Sequence, residues 1–448
     1  MCKSTTNFHN EQTFEGFFEV SGLENKVEVG FTAPDLSSLG GMLVLKKIAA
    51  GGIIDQLCSC IQEWRDVRYV QHSIREMVTQ RVMQIAAGYE DADDCDLLRG
   101  DSMLKMAAGR KPSDDDLCSQ PTMSRLENHV GRSELWEMGE VFVKHFIASY
   151  DKEPVKIVLD LDDSNFNCYG AQQLCLFNNY YGEFCYMPLF IFEGYSGKLV
   201  LPLLRPGRTN KRTNVFGLLK RLITELRRHW KNTVITVRGD AMFCSYEFME
   251  WAQTQPHLHY VVGLTGNSVL RDEVQKWVDF AEERYAQNHE DIREYHRICY
   301  RAKSWNRHQW VMVKIERNFM GSNVRYVVTD QYKMDPKDVY ERRYCKRGIC
   351  ELLIKEVKNG LCSDRMSCSS FAANQFRLFL HAAAYVLLLE AREKLFAGTE
   401  FQDVTIITFR ERILLSAVRI TELKTKIKVE FGRGHPYRYE LKRALRCA

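Results

Sequence analysis

The segment "YCKRGICELLIKEVKNGL", residues 344–361, carries four side chains suited to binding both a metal ion and a phosphodiester. On a helix with 3.6 residues per turn, all four fall within about 60° of one another around the axis. They are Tyr344, Arg347, Glu351 and Lys358. Apolar residues fill the neighbouring arc, so the stripe is expected at the edge of a buried face. There a carboxylate can overhang a sheet while two cations reach an anionic polymer.

Two aspartates elsewhere in the chain follow predicted strands. "VKIVLDLD" ends in Asp162, and "NTVITVRGD" ends in Asp240. Ligands of open α/β sheets lie beyond the strand termini, so both carboxylates can converge there with Glu351. Three carboxylates without a histidine partner suit Mg²⁺, and Mn²⁺ can substitute. Two such ions about 3.5–4 Å apart would stabilise the attacking and leaving oxygens of an in-line phosphoryl transfer.

Each of these carboxylates also has an ordinary structural interpretation. Asp162 begins the good turn sequence "DDS", and Asp240 suits the cap of a following helix. Glu351 is placed to pair with Arg347 or Lys355 one helical turn away. The hypothesis of a metal site therefore depends on the joint occurrence of the three residues.

Charge is distributed unevenly along a chain whose net charge is only +4. Residues 204–231 hold nine basic residues and one acidic residue, and residues 410–446 hold eleven basic and four acidic residues. Residues 90–116 are instead acidic. Two separate basic stretches favour an extended polyanion as partner, with solvated helix and strand faces as the alternative.

The cysteine content and the apolar segments indicate the compartment. The fifteen cysteines are odd in number, and no apolar leader begins the chain. We therefore expect reduced thiols in a cytoplasmic protein. The longest apolar run, "FLHAAAYVLLLEA", is shorter than the ~20 residues of a membrane span. It predicts a buried helix and no membrane partner.

Residues 1–150 are predicted to form a mostly helical region that binds DNA. Within it, "SQPTMSRLEN" predicts a short helix capped by Ser119, with Pro121 in its first turn. Its exposed early turn presents polar donors, namely Gln120, Thr122, Ser124 and Arg125. This pattern resembles the second helix of a helix-turn-helix, although many ordinary capped helices look the same.

The rest of the chain divides into four predicted segments. Residues 151–265 read as a mixed sheet with helices on its faces. Residues 266–330 read as a polar helix followed by antiparallel strands, and residues 331–396 as the Glu351 helix and a long apolar helix. Residues 397–448 are predicted to form a basic, β-rich tail.

The spacing Tyr-x2-Arg-x3-Glu-x6-Lys in "YCKRGICELLIKEVK" resembles the signature of one large branch of insertion-sequence DDE transposases. Further blocks resemble that family in order, across roughly residues 40–445. They include "SQPTMSRLEN", "LDLDDSNFNCYGAQQ", "LPLLRPGRTN", "VRGDAMF" and "CSSFAANQFRLFLHAAAY". The resemblance implies an α/β, ribonuclease H-like catalytic core interrupted by a β-rich insertion, plus an N-terminal helical DNA-binding region.

The resemblance also implies roles for individual residues. Asp162, Asp240 and Glu351 would be the catalytic triad that binds two Mg²⁺ ions. Phosphates near the scissile bond would be held by Tyr344, Arg347 and Lys358.

Two departures from the family pattern concern the aspartates. The first Asp is more usually followed by a small residue and Thr, where this chain has Asp163 and Ser164. Asp160, Asp162 and Asp163 therefore compete for the role of ligand, and the spacing favours Asp162. The second Asp is followed by Ala241 and Met242 instead of a residue pair ending in Gly.

The resulting expectation is cut-and-paste transposition in a prokaryotic cytoplasm. The enzyme would bind terminal inverted repeats as a homodimer, cleave at the element ends and join the 3′-hydroxyls to target DNA. The aromatic insertion would stack on a flipped base through Trp277, Trp305 and Trp310, unless these side chains serve packing. The alternatives are an element-derived DNA-binding regulator without cleavage and a structure-specific, metal-dependent nuclease.

Overall fold

The computed structural model describes residues 35–208 and 213–446, together with residues 16–18, 24, 27–29 and 33. The predicted lack of an apolar leader, and part of the first basic segment, at residues 209–212, lie outside the described residues. Two short strands, β1 (Gly16–Phe18) and β2 (Val27–Val29), pair with each other in antiparallel fashion.

The N-terminal region is helical, as the sequence predicts. After a short strand, β3 (Leu36–Ser37), come α1 (Met42–Ala49), α2 (Ile53–Ser59), α3 (Ile74–Ala87), α4 (Asp94–Leu98), α5 (Ser102–Ala108), α6 (Gln120–His129) and α7 (Arg132–Ala148). α3 stops at Gly88, whose φ of 96° suits glycine. Ser119 occupies the N-cap position of α6 and Pro121 lies in its first turn as expected, but the Ser119 side chain makes no capping hydrogen bond.

The next part of the chain supplies five strands of one large sheet and a smaller sheet beside it. Its elements are β4 (Lys156–Asp163), β5 (Phe166–Asn167), β6 (Leu176–Asn178), β7 (Glu183–Tyr186), β8 (Leu189–Glu193), β9 (Leu199–Leu203), α8 (Thr213–His229), β10 (Val234–Gly239), α9 (Tyr246–Ala252) and β11 (Leu258–Leu264). β5, β7 and β6 form the smaller sheet. β4, β10 and β11 are parallel to one another, whereas β8 is antiparallel to β4 and β9 is antiparallel to β8.

Residues 266–330 extend this sheet and do not form a separate β unit. A 21-residue helix, α10 (Ser268–Asn288), leads into β12 (Ile292–Tyr300), β13 (Gln309–Asn318) and β14 (Gly321–Thr329). The predicted antiparallel strands are confirmed, but β14 pairs directly with β11. The sheet therefore has eight strands, in the order β12-β13-β14-β11-β10-β4-β8-β9.

The predicted single helix over residues 344–361 is irregular. A π-helical turn (Asp338–Tyr344) and a 3-10 turn (Cys345–Arg347) lead into α11 (Gly348–Lys355), and a second π turn (Glu356–Gly360) follows. π turns are frequent at functional sites because they re-aim the side chains next to them.

The long apolar run forms α12 (Phe371–Leu395), which is the centre of a large apolar core. By length and composition it is the single candidate membrane span in the part of the chain that the structure describes. However, 89% of its most apolar window is buried in the protein. The predicted burial of this long apolar helix is confirmed.

The C-terminal tail is mixed, which corrects the prediction of a β-rich tail. It contains α13 (Ile406–Phe409), β15 (Val418–Leu423), β16 (Lys426–Phe431) and α14 (Arg438–Arg446). β15 pairs with β3, and the Lys47 ammonium donates to the carbonyl of Ala444 at 3.0 Å. The tail therefore packs against the N-terminal helices.

Candidate active site

Strand register places Asp162 and Asp240 side by side. In the parallel pair of β4 and β10, Gly239 lies opposite Leu161, so the next residue of each strand is an aspartate. Asp240 also accepts a hydrogen bond from the Met242 backbone N–H at 2.8 Å, which makes it the predicted cap as well. The capping interpretation of Asp240 is confirmed, whereas its role as a metal ligand stays a prediction.

Asp160 and Asp162 point to the same face of the sheet, which α11 covers. Their partners on β8 are Phe192 and Phe190, and paired residues share a face. On this face the Sγ of Cys350 lies 3.9 Å from the Asp160 carbonyl, so the start of α11 rests directly on β4.

Arg347 joins the strand to the helix. Its Nη1 donates to Asp162 Oδ2 at 2.9 Å, and its Nη2 donates to Glu351 Oε1 at 2.6 Å. The alternative of an Arg347–Glu351 pair is thus realised, but the same guanidinium also holds Asp162. Glu351 remains half exposed, at 51%.

The electrostatics of Asp162 are those of a crowded carboxylate. Burial raises the pKa of Asp162 to about 7, while Arg347 opposes the shift. The negative charges of Asp240, Asp163 and Glu351 raise the pKa further. Such a group of carboxylates is stabilised by a cation.

The other two aspartates of β4 have ion-pair partners of their own. Asp160 is fully buried and makes a bidentate pair with Arg238 on β10, in which Nη2 lies 2.6 Å from Oδ2. Asp163 accepts from Arg205 Nη2 at 2.7 Å. Of the three competing aspartates, Asp162 is therefore the one next to Asp240 and Glu351.

Tyr344 lies over the end of β11. A Cβ atom on Gly263 would be 2.7 Å from the Tyr344 hydroxyl and 2.8 Å from the Ala241 nitrogen. Glycine at this position therefore permits the close approach of Tyr344 to the turn after Asp240. Burial raises the pKa of the Tyr344 hydroxyl, so it is a hydrogen-bond donor at neutral pH.

Comparison with known proteins decides the family. A family model described as transposase DDE domain group 1 matches residues 20–447. The chain belongs to the DDE transposases. Members of the family are DNA transposases, which cleave and join DNA and generally use divalent metal ions.

This transposase was also compared with solved structures and with curated proteins. The chain is similar to the piggyBac transposase in a cryo-EM structure of its synaptic complex with hairpin DNA. The two share 12% identity at a TM-score of 0.44, covering 83% of this chain and 79% of the other. A search of curated proteins gives no match.

Lys358 of the transposase is bound at the segment between β4 and β5. Its Nζ donates to the Asn165 backbone carbonyl at 2.7 Å and lies 5.8 Å from the centre of the Phe166 ring. Arg347 and Lys358, predicted as an equivalent pair of phosphate ligands, thus have different surroundings.

The four residues predicted for base recognition lie on α6. Gln120, Thr122 and Ser124 are half-buried and Arg125 is exposed. The connection from α5 to α6 runs over residues 109–119, whereas a helix-turn-helix uses about three to four residues. α5 and α6 therefore do not form the predicted helix-turn-helix, and DNA contact by α6 stays a prediction.

A buried ion network, which the sequence did not reveal, fixes α6 instead. Glu127 on the inner face of α6 lies 3.2 Å from Arg81 Nε and 3.3 Å from Arg377 Nη1, and all three side chains are at most 2% exposed. Arg377 belongs to α12 and Arg81 to α3. The sequence signal for this network was a charged residue on an otherwise apolar helix face, as at Glu127, Arg81 and Arg377.

The tryptophans of residues 266–330 are already stacked within the protein. Trp277 lies 4.1 Å from the ring of His296, whereas Trp305 packs against Tyr246 and Trp310 against Tyr332. The packing alternative describes these three rings better than the base-stacking hypothesis.

Proposed function

We propose that the protein excises its own mobile element and inserts it elsewhere, with Asp162, Asp240 and Glu351 as catalytic residues. The observation that carries the proposal is the convergence of β4, β10 and α11. It brings three carboxylates, drawn from positions up to 189 residues apart in the sequence, to one end of the sheet. The strand order β9-β8-β4-β10-β11 supports a ribonuclease H-like core.

The donor set fits divalent cations, because carboxylate oxygens are the ligands that Mg²⁺ and Mn²⁺ prefer. Within the described ranges, however, no group of three His, Cys, Asp or Glu residues is arranged to hold a metal ion. Arg347 instead engages both Asp162 and Glu351. Bound ions would supply charge stabilisation for the attacking and leaving oxygens.

The remaining residues would position the DNA. With its guanidinium turned from the carboxylates to a phosphate, Arg347 frees their oxygens and contributes a bidentate donor. Tyr344 offers a hydroxyl donor and Lys358 an ammonium group beside the same site. The element ends would be terminal inverted repeats, and a homodimer would bring two of them together.

The direct test uses a plasmid that carries the gene with its flanking DNA. Incubated with the full chain and Mg²⁺, it should be cut at inverted repeats that border the element, and EDTA should prevent the cut. Binding of these repeats without any cleavage at several Mg²⁺ and Mn²⁺ concentrations would overturn the proposal in favour of a non-cleaving regulator.

Arg347→Ala should raise the affinity of the DNA-free protein for Mn²⁺, because two carboxylates lose their internal cation. Electron paramagnetic resonance of free Mn²⁺ measures this without any cleavage. The same variant should bind DNA more weakly, and the slope of log K against log [salt] should become shallower by about 0.9 for one lost phosphate contact.

Lys358→Ala is the matched control, because Lys358 contacts Asn165 and no carboxylate. It should reduce the salt slope equally and leave Mn²⁺ affinity unchanged. If Arg347→Ala binds Mn²⁺ no better than Lys358→Ala does, Arg347 does not compete with the metal.

Sequence recognition by α6 is a separate prediction. Arg125→Ala should lower the preference for inverted-repeat DNA over random duplex by about tenfold, within the ~1–3 kcal/mol of one base contact. A competition binding assay gives the ratio directly. An unchanged ratio would place recognition elsewhere in the chain.

The contrasting variant neutralises the exposed basic residues Arg228 and Lys231. This change should weaken the binding of inverted-repeat DNA and of random duplex by the same factor. Arg227, which the basic segment also suggested, is unsuitable. Its guanidinium donates to the backbone carbonyls of Trp230 and Thr233 and of the chain before β11, so it holds the fold together.

A further inference from the structure

The hairpin of β6 and β7, residues 176–186, exposes an unusual number of aromatic rings; we call it the aromatic hairpin. Phe177 pairs with Phe184 across the strands, and their ring centres are 5.3 Å apart. Tyr180 and Tyr181 form its turn, with ring centres 4.9 Å apart. Tyr180 is 86% exposed and Phe184 is 59% exposed. Soluble proteins seldom leave neighbouring large rings in water without a use for them.

The aromatic hairpin lies beside the candidate active site. It is joined to β4 through β5, which begins three residues after Asp163 and pairs with β7. Burial raises the pKa of Tyr181 to about 12, and the charges of Asp163 and Asp162 act in the same direction. The Tyr181 side chain is therefore near Asp163 and near Asp162, one of the three proposed catalytic carboxylates.

Basic residues flank the aromatic hairpin on both sides. The Arg208 guanidinium donates to the Phe177 carbonyl at 2.8 Å, which ties the first basic segment to β6. On the other side, Lys358 is fixed to Asn165, one residue before β5. A surface of exposed rings between cations is the arrangement that binds single-stranded nucleic acid, because the cations attract the backbone and each ring stacks on a base.

We propose that Tyr180 and Phe184 stack on unpaired nucleotides of the DNA strand at the cleavage site. The proposal rests on the proposed function and deepens it, since it names the form of DNA that this part of the site binds. Stacking on an unpaired base was the role expected for the tryptophans of residues 266–330. Each of those rings already packs against a histidine or tyrosine ring of the protein, which leaves less of its surface for a base. Duplex DNA would be bound elsewhere on the protein.

The test measures binding in the absence of metal, using the full chain and fluorescence anisotropy. The probes are an oligothymidylate of about ten nucleotides, within the site size of such surfaces, and a random-sequence duplex. Tyr180→Ala and Phe184→Ala should each weaken oligothymidylate binding about fivefold or more and leave duplex binding unchanged. Tyr180→Phe should bind like the wild type, because the ring persists.

Phe319→Ala is the matched control, because Phe319 is 83% exposed at the turn between β13 and β14, which belong to a different sheet from the aromatic hairpin. It should alter neither affinity. The inference is overturned if the hairpin variants bind oligothymidylate normally, if they lose duplex affinity equally, or if Phe184→Leu binds as well as the wild type. Cleavage of the element ends together with any of these results leaves the proposed function standing, whereas absence of binding to either DNA overturns both.

Discussion

Asp162→Asn, Asp240→Asn and Glu351→Gln are each expected to slow DNA cleavage by roughly a thousandfold or more. Each change removes one negative charge from the carboxylate group while keeping its shape. The stabilisation of charge in the transition state by bound cations is worth several kcal/mol, and each ~1.4 kcal/mol is a factor of ten in rate. Single-turnover cleavage of an end-labelled inverted repeat, at saturating protein, measures the effect separately from DNA binding.

Asp163→Asn is the control for these three variants. Asp163 is adjacent to Asp162 in sequence but pairs with Arg205, so its amide should leave the cleavage rate within a few-fold of the wild type. Binding of the inverted repeat should persist in all four variants. Near-normal cleavage by any one of the first three would remove that residue from the catalytic set.

Asp160→Asn should lower the free energy of unfolding by about 3–5 kcal/mol, because it leaves Arg238 charged and buried without its counter-ion. The Arg238 guanidinium also donates to the Arg343 carbonyl, so the loss extends to the turn that carries Tyr344. Urea unfolding monitored by tryptophan fluorescence measures the change.

The comparison with Asp162→Asn separates a structural aspartate from a catalytic one. Asp162 is crowded by other carboxylates, so its amide should leave the free energy of unfolding unchanged or raise it. Asp160→Asn should thus lower mainly the free energy of unfolding, whereas Asp162→Asn should lower mainly the rate of DNA cleavage. An Asp160→Asn protein of normal stability that cannot cleave DNA would exchange the two assignments.

Two features that the sequence left open concern contacts between distant segments. The antiparallel strands over residues 292–329 were predictable, but their pairing onto β11 was not, because strand periodicity fixes faces and leaves partners open. Likewise the helix α6 and its start were predictable, whereas the burial of Glu127 between Arg81 and Arg377 depends on two other helices.

The sequence by itself determined the local elements, the family and the three carboxylates at the ends of β4, β10 and on α11. Local periodicity, caps and motif spacing are sufficient for these, since each depends on residues close together in the chain. Alternation places Asp160 and Asp162 on the same face of β4, so the sequence favoured Asp162 by motif spacing alone. The tertiary structure adds the physical difference between the two side chains. Arg238 on the neighbouring strand closes Asp160 into a buried pair, and Arg347, 185 residues further along the chain than Asp162, reaches the second carboxylate instead.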